Sequence, residues 1–213
     1  QTFDSNGNFL NAWGTAGTAP GQFSGLRSLC ASTTGVVYVL EYNRVQKFDS
    51  QGKVLDVFEG YAKIDGIMTD HKGGFYLSHG TNPFGSADSV SLFDASGLRT
   101  AVWSKNAGLA EQGVDYALDM PTGVAVGPDG SVHVANPPRM LLFSPTGSFR
   151  QWGAAGATPG ALGAYACAVD SDGAIYVTDY SNKCVQKFDS NRVFITRWGE
   201  HGTEDGQFDM PRG

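Results

Sequence analysis

Four polar side chains recur at one place in a repeated pattern: Glu41, His79, Asn136 and Asp179 each close a short run of alternating apolar residues. Two carboxylates, an imidazole and an amide around one opening could contact a polar ligand. The same groups could instead accept hydrogen bonds from the turn that follows each of them. Between His79 and Phe93 lie 13 residues, where the gaps from Glu41 to Phe48 and from Asn136 to Phe143 hold six. That insertion carries Asn82, Phe84 and Asp88, and the next long connector carries Asp115 and Tyr116. Variable loops on a repeated scaffold are where binding residues collect, so all nine are candidate ligand contacts.

Catalytic chemistry finds less support. Zinc hydrolysis needs three convergent ligands and an open position, and of His71, His79, His133 and His201 only His79 and His201 fall where they could share a site. His133 stands where the other repeats have a strand tyrosine. Asp170-Ser171-Asp172-Gly173 opens like a calcium loop but has no acidic residue near its twelfth position, and reads better as a hairpin turn. There is neither a Gly-x-Ser-x-Gly elbow nor a phosphate loop ending in Gly-Lys-Ser or Gly-Lys-Thr. No catalytic residue, metal site or cofactor is expected.

The three cysteines cannot all pair within the chain. Cys30 falls on an innermost strand and reads as a core thiol. Cys167 and Cys184 lie near the same end of two strands of one repeat and are the candidate disulfide, although an intervening strand would have to distort to let them meet.

These residues are placed by a repeat. Phe3, Phe48, Phe93, Phe143 and Phe188 are spaced by 45, 45, 50 and 45 residues, and Trp13, Phe58, Trp103, Trp152 and Trp198 follow them by 10, 10, 10, 9 and 10. Four members of the first series lead into turns, FDSNG, FDSQG, FDASG and FSPTG, whereas the last reads FDSNR. Asp or Ser with Gly supplies the positive φ that a tight hairpin requires. Upstream lie further strand pairs, clearest as GVAVGPDGSVHVAN at 123–136 and CAVDSDGAIYVTD at 167–179. Each unit is therefore four strands in about 45 residues, and such sheets bury both faces only by packing on neighbours. Radial packing gives a propeller.

Composition agrees: 29 glycines and 17% charged residues in 213 favour short strands and tight turns. A formal net charge of -6 argues against a broad nucleic-acid footprint. No apolar run reaches the roughly 18 residues of a spanning helix.

Residues 175–190, IYVTDYSNKCVQKFDS, followed by RWGEHGTEDGQFDMPRG at 197–213, resemble the NHL repeat. The Trp-Asp ending of WD40 blades is absent. The resemblance implies an all-β propeller of four-stranded antiparallel blades, usually six to a ring, in a family whose members mostly bind proteins, RNA or other ligands; a few related propellers are enzymes. The repeat divides residues 1–213, a single propeller domain, into full blades at 24–59, 64–103, 119–153 and 163–199. An outer hairpin is expected at 1–14 and the start of a further blade at 208–213. On that count the sequence reads as a fragment of a six-bladed ring, closed by missing sequence or by another chain.

The functional expectation is a non-catalytic interaction or scaffold propeller that binds a protein, glycan or small ligand through its loop face, with a protein partner or neighbouring subunit. The alternatives are a channel-centred lyase or hydrolase, metal-assisted in the manner of an amidating lyase, and an RNA-binding domain. RNA is disfavoured because Arg27, Arg44, Lys47, Lys53, Arg139, Lys183 and Lys187 are scattered among 21 acidic residues. Low charge with abundant Gly, Ser and Thr points to an extracellular protein, any targeting segment lying upstream of Gln1.

Overall fold

A computed structural model describes residues 1–60, 64–70, 72–79, 88–104, 118–145 and 148–213. The described residues contain strands and turns without helix. A hairpin of β1 (Thr2–Phe3) and β2 (Phe9–Asn11) leads to a short parallel pair, β3 (Thr15–Ala16) and β4 (Gln22–Phe23). Four four-stranded antiparallel sheets follow. The first has β5 (Ser28–Ala31), β6 (Val37–Leu40), β7 (Arg44–Phe48) and β8 (Val54–Glu59); the second has β9 (Ile64–Thr69), β10 (Phe75–His79), β11 (Ser89–Phe93) and β12 (Arg99–Ser104). The third has β13 (Gly123–Val126), β14 (Val132–Asn136), β15 (Arg139–Phe143) and β16 (Phe149–Trp152); the fourth has β17 (Ala164–Val169), β18 (Ile175–Asp179), β19 (Cys184–Phe188) and β20 (Phe194–Trp198). Strand order within each sheet follows sequence order, so each is a simple meander. Innermost strands β5, β9, β13 and β17 lie side by side, which sets the sheets as the radial blades of a propeller.

Strand alternation explains why the blades must stack. In the first blade Cys30, Tyr38, Leu40 and Val45 share one face, and they pack on Ile67, Phe75, Leu77 and Phe93 of the second. The opposite face of the second blade presents Val90 to Val124, Val132, Val134, Leu141 and Phe143 of the third. The third presents Ala135 and Met140 to Ile175, Val177 and Phe188 of the fourth. The core is thus three interblade layers, each about one side chain deep per sheet.

The two aromatic series are the outer part of those layers. Trp103, on the outermost strand of the second blade, stacks on Phe143 of the third, with centroids 4.0 Å apart and planes 7° from parallel. Trp152 meets Phe188 edge-on at 5.0 Å, and Trp13 lies 4.5 Å from Phe48. Phe58 takes the same role by stacking on Phe75, which stacks in turn on Phe93. Trp13, Trp103 and Trp152 therefore clamp the third-strand phenylalanine of the next blade directly, and Phe58 does so through Phe75. Trp198, the last of its series, is 43% exposed.

The connectors between blades depend on glycine at two points. Gly14 (φ 87°) leaves room for the Phe23 ring and Gly17 (φ 149°) for the Gln22 side chain, and Gly199 and Gly202 repeat the arrangement with Phe208 and Gln207. A Cβ at any of these positions would overlap the packed side chain. The Gly-x-x-Gly sequences are interblade turns.

Phe143→Ala should lower unfolding stability by about 3–5 kcal/mol, because Phe143 is 2% exposed and its loss leaves a cavity under Trp103. Trp198→Ala should cost far less. Denaturant midpoints of the two variants compare an occupied interblade clamp with an exposed one.

Candidate functional site

The innermost strands surround a cavity of about 780 Å³. Its loop-face rim is made by one position of the repeat, the residue just before a small residue at or near the start of each innermost strand, with its equivalent in the C-terminal segment. That position holds Arg27, Asp65, Thr122, Tyr165 and Arg212, followed by Ser28, Gly66, Gly123, Ala166 and Gly213. Small residues behind the rim let the strands approach closely: a Cβ on Gly123 would stand 2.9 Å from the Ala166 backbone. The rim residues differ in charge and shape while their backbones repeat.

Internal contacts hold the rim in place. Arg27 pairs with Asp65 at 3.3 Å, donates to the Ile64 carbonyl at 3.1 Å and lies 5.0 Å from the Tyr42 ring centroid. Thr122 Oγ1 donates to the Tyr165 carbonyl. Tyr165 and Tyr180 are 5.7 Å apart, and Arg212 lies over both at 5.6 and 5.9 Å. Lys183 caps Tyr180 from 4.3 Å. A guanidinium set over a ring keeps its N–H edges available to a carboxylate, and the pairing with aromatic faces favours desolvated binding.

Of the second-strand termini, Glu41, Asn136 and Asp179 are 1%, 2% and 0% exposed, and their hydrogen bonds go to connectors. Glu41 accepts from Ser24 N at 2.7 Å, Arg44 Nε at 2.7 Å and Gln46 Nε2 at 2.7 Å. Arg44 and Gln46 donate onward to the Gln22 carbonyl, at 2.8 and 2.7 Å. Asp179 accepts from Gly163 N, Asn182 N, Asn182 Nδ2 and Gln186 Nε2, all within 3.0 Å. Asn136 Oδ1 accepts from Asp119 N at 2.6 Å. These three residues latch the preceding connector to its blade instead of facing a channel ligand, because burying a carboxylate or amide requires that its acceptors be filled.

Sequence reasoning missed two parts of this arrangement. Gln46 and Gln186, both fully buried, bridge acid to connector in the first and fourth blades. Their signal was the identical VQKFDS at 45–50 and 185–190. The rim residues carried no compositional signal and emerge only when the repeats are aligned on the innermost strands.

His79 ends β10 opposite Ser89, and Asp88 is buried just before β11. Asn82, Phe84, Asp115 and Tyr116, with His71, lie outside the described residues. His201 sits in the last connector, 3.5 Å from Asp209. Among the described residues no three His, Cys, Asp or Glu side chains gather into a metal-holding group.

The candidate disulfide is not formed, and all three cysteines are thiols. Cys167 stands opposite Val177 and Cys184 opposite Asp179, so β18 separates them and their registers differ by two residues. Cys167 Sγ instead donates to the His133 carbonyl at 3.5 Å. Burial pushes the Cys30 and Cys167 thiols up to about 12, which makes them poor nucleophiles.

Residues 168–188 match the model of the NHL repeat family. No curated protein matches the sequence. Among solved structures, a streptogramin B lyase superposes with a TM-score of 0.61 at 15% identity, over 85% of this chain and 56% of that one. A virginiamycin B lyase from Staphylococcus aureus gives 0.60 at 14%, over 82% and 55%. A gluconolactonase from Xanthomonas campestris gives 0.57 at 14%, over 85% and 63%. At these identities the likeness establishes the fold, and the chain spans between 55% and 63% of the length of the three structures.

Two predictions follow from the latches. Burial alone would raise the Glu41 carboxyl, but the bonds from Arg44, Ser24 and Gln46 outweigh it and hold the group below the usual range. A lowered native value means that this latch contributes stability above the ordinary glutamate value of about 4.3 and loses it as pH falls through the native value. Thermal unfolding followed between pH 6 and 3 should therefore decline less steeply in Glu41→Gln than in the wild type. Asp179→Ala, which strands the donors of Gly163, Asn182 and Gln186, should cost about 2–4 kcal/mol and speed amide exchange at Gly163.

Proposed function

We propose, from a β-propeller fold that carries an NHL-repeat match at 168–188, that the chain is a non-catalytic interaction module whose loop-face mouth takes a carboxylate-bearing segment of a partner protein. One observation carries this reading: a single repeat position supplies Arg27, Asp65, Thr122, Tyr165 and Arg212 around one opening. A fold that repeats its core residues from blade to blade varies here, where side chains meet solvent. Arg212 and Arg27 lie over tyrosine rings, so they offer charge without burying it alone. Asn82, Phe84, Asp115 and Tyr116, in the sequence that follows β10 and β12, are proposed to extend the contact.

A second reading, a channel-centred lyase or hydrolase, is favoured by the names of two structures of like fold, a streptogramin B lyase and a gluconolactonase. It places substrate in the same cavity. Turnover of a gluconolactone or a streptogramin B that disappears on substitution of the rim would support it and contradict the first reading.

The test is fluorescence anisotropy with a labelled peptide of alternating glutamate and aromatic residues, at low and physiological salt. The wild type should bind saturably, and Arg212→Ala combined with Tyr180→Ala should weaken binding at least tenfold without altering the far-ultraviolet spectrum. Equal affinity for the variant would refute the proposal, as would a preference for single-stranded RNA over the peptide.

A further inference from the structure

At the hairpin-turn ends of the blades, opposite the mouth, the repeat has a fixed plan that the third blade abandons. After the innermost strand, Asp70 and Asp170 each bind the turn that follows; Asp170 Oδ1, for example, accepts from Asp172 N at 3.0 Å and Ala174 N at 2.8 Å. Ser32 has that role in the first blade. Two residues into the turn-proximal end of the second strand stand Tyr38, Tyr76 and Tyr176, and the Tyr176 hydroxyl donates to Asp170 Oδ2 at 3.1 Å. The third blade has Gly127 in place of the acid and His133 in place of the tyrosine. Ser131 stands where the other blades have Val36, Gly74 and Ala174.

The three departures are mutually dependent. Asp129, on the turn itself, takes over as acceptor: its Oδ1 receives Ser131 N at 2.9 Å and Ser131 Oγ at 2.6 Å. A Cβ on Gly127 would lie 2.8 Å from that Oδ1 and 2.9 Å from Ser131 Oγ, so the glycine is what lets the pair close. Ser131 Oγ lies 3.1 Å from His133 Nε2. Since the hydroxyl donates its proton to Asp129, it accepts from Nε2–H, and Nδ1 carries the lone pair of a neutral ring. Burial pushes the imidazole down to about 4, consistent with that neutral form. His133 is 5% exposed, and Nδ1 has no hydrogen-bond partner.

A fourth departure faces these from the next blade. The outer turns of the repeat place glycine at a left-handed position, Gly7, Gly52 and Gly97, at φ between 82° and 83°. The fourth blade places Arg192 there at φ 70°, a conformation that disfavours any side chain. Gly127, Ser131, His133 and Arg192 line one cavity of about 260 Å³ between the third and fourth blades, with Asp172 and Ser190 at its edge.

We propose that this cavity binds a small polyhydroxylated molecule, a single sugar ring or polyol. Its acceptors are the Asp129 and Asp172 carboxylates; its donors are the Arg192 guanidinium and the Ser190 hydroxyl. Adjacent hydroxyl groups match this alternation because each both gives and receives a bond. Carboxylates beside the guanidinium disfavour an anion. The volume falls just below the roughly 300–1,000 Å³ of drug-sized pockets, which suits a single ring. A side chain in a glycine conformation lowers stability, and a ligand that bonds the Arg192 guanidinium offsets that cost.

The experiment is a nuclear magnetic resonance titration that follows the His133 ring resonances of the whole chain with D-glucose, D-galactose and myo-inositol, and separately with inorganic phosphate. A saturable shift with at least one neutral polyol is expected. It should be at least tenfold weaker in Arg192→Gly, which also relieves the backbone and should raise the melting temperature. It should vanish in the double variant Gly127→Asp with His133→Tyr, which restores the plan of the other blades. Should that variant fail to fold, Arg192→Gly still decides. No saturable shift with any polyol, a shift with phosphate alone, or undiminished binding in Arg192→Gly would each overturn the proposal.

Discussion

A four-stranded sheet with apolar side chains on both faces has no stable existence alone, and every other feature of this molecule follows from how that constraint is met. Each blade uses its neighbours as its core. The apolar layers formed by Tyr38 with Phe75, by Val90 with Val134 and Leu141, and by Met140 with Val177 are therefore interfaces and interior at once. Because strands twist, blades stacked in this way fan around an axis, and their first strands meet at a channel. The aromatic clamps at the wide end and the small residues at the narrow end, Gly66, Gly123 and Ala166, are two consequences of one wedge-shaped geometry.

Radial packing divides the polar residues by depth. Connectors must cross between blades over buried strand ends, where their amides and carbonyls lose water. Glu41 and Asp179, each with a glutamine from the third strand, supply those missing bonds. Their charge is consumed by the fold. What remains for recognition is the shell above them, where Arg27, Tyr165 and Arg212 face the opening, and the opposite turn ends, where one blade has given up its tyrosine.

Much of this was legible in the residues. Two aromatic series with one period announced four-stranded units, and the structure explains the pairing: the second series packs on the first of the following blade. The polar strand ends were also found, but sequence alone could not separate a ligand contact from a buried latch. That distinction depends on which way a carboxylate turns and what the connector returns to it. Cys167 and Cys184 looked close because both fall near one end of their strands, yet register and the intervening β18 keep them apart. The rim was invisible because recognition there comes from dissimilarity among equivalent positions, the opposite of a motif. Arg192 was visible as a turn lacking its glycine, and its meaning required the cavity it faces.

The central claim is that a rigid radial scaffold presents its variable first-strand residues as one binding surface. Amide hydrogen exchange of the chain with and without the acidic aromatic peptide tests this most directly. The account predicts added protection at the starts of β5, β9, β13 and β17 together, with β8, β12, β16 and β20 unchanged. Protection confined to the outer strands, or to a single blade, would contradict it.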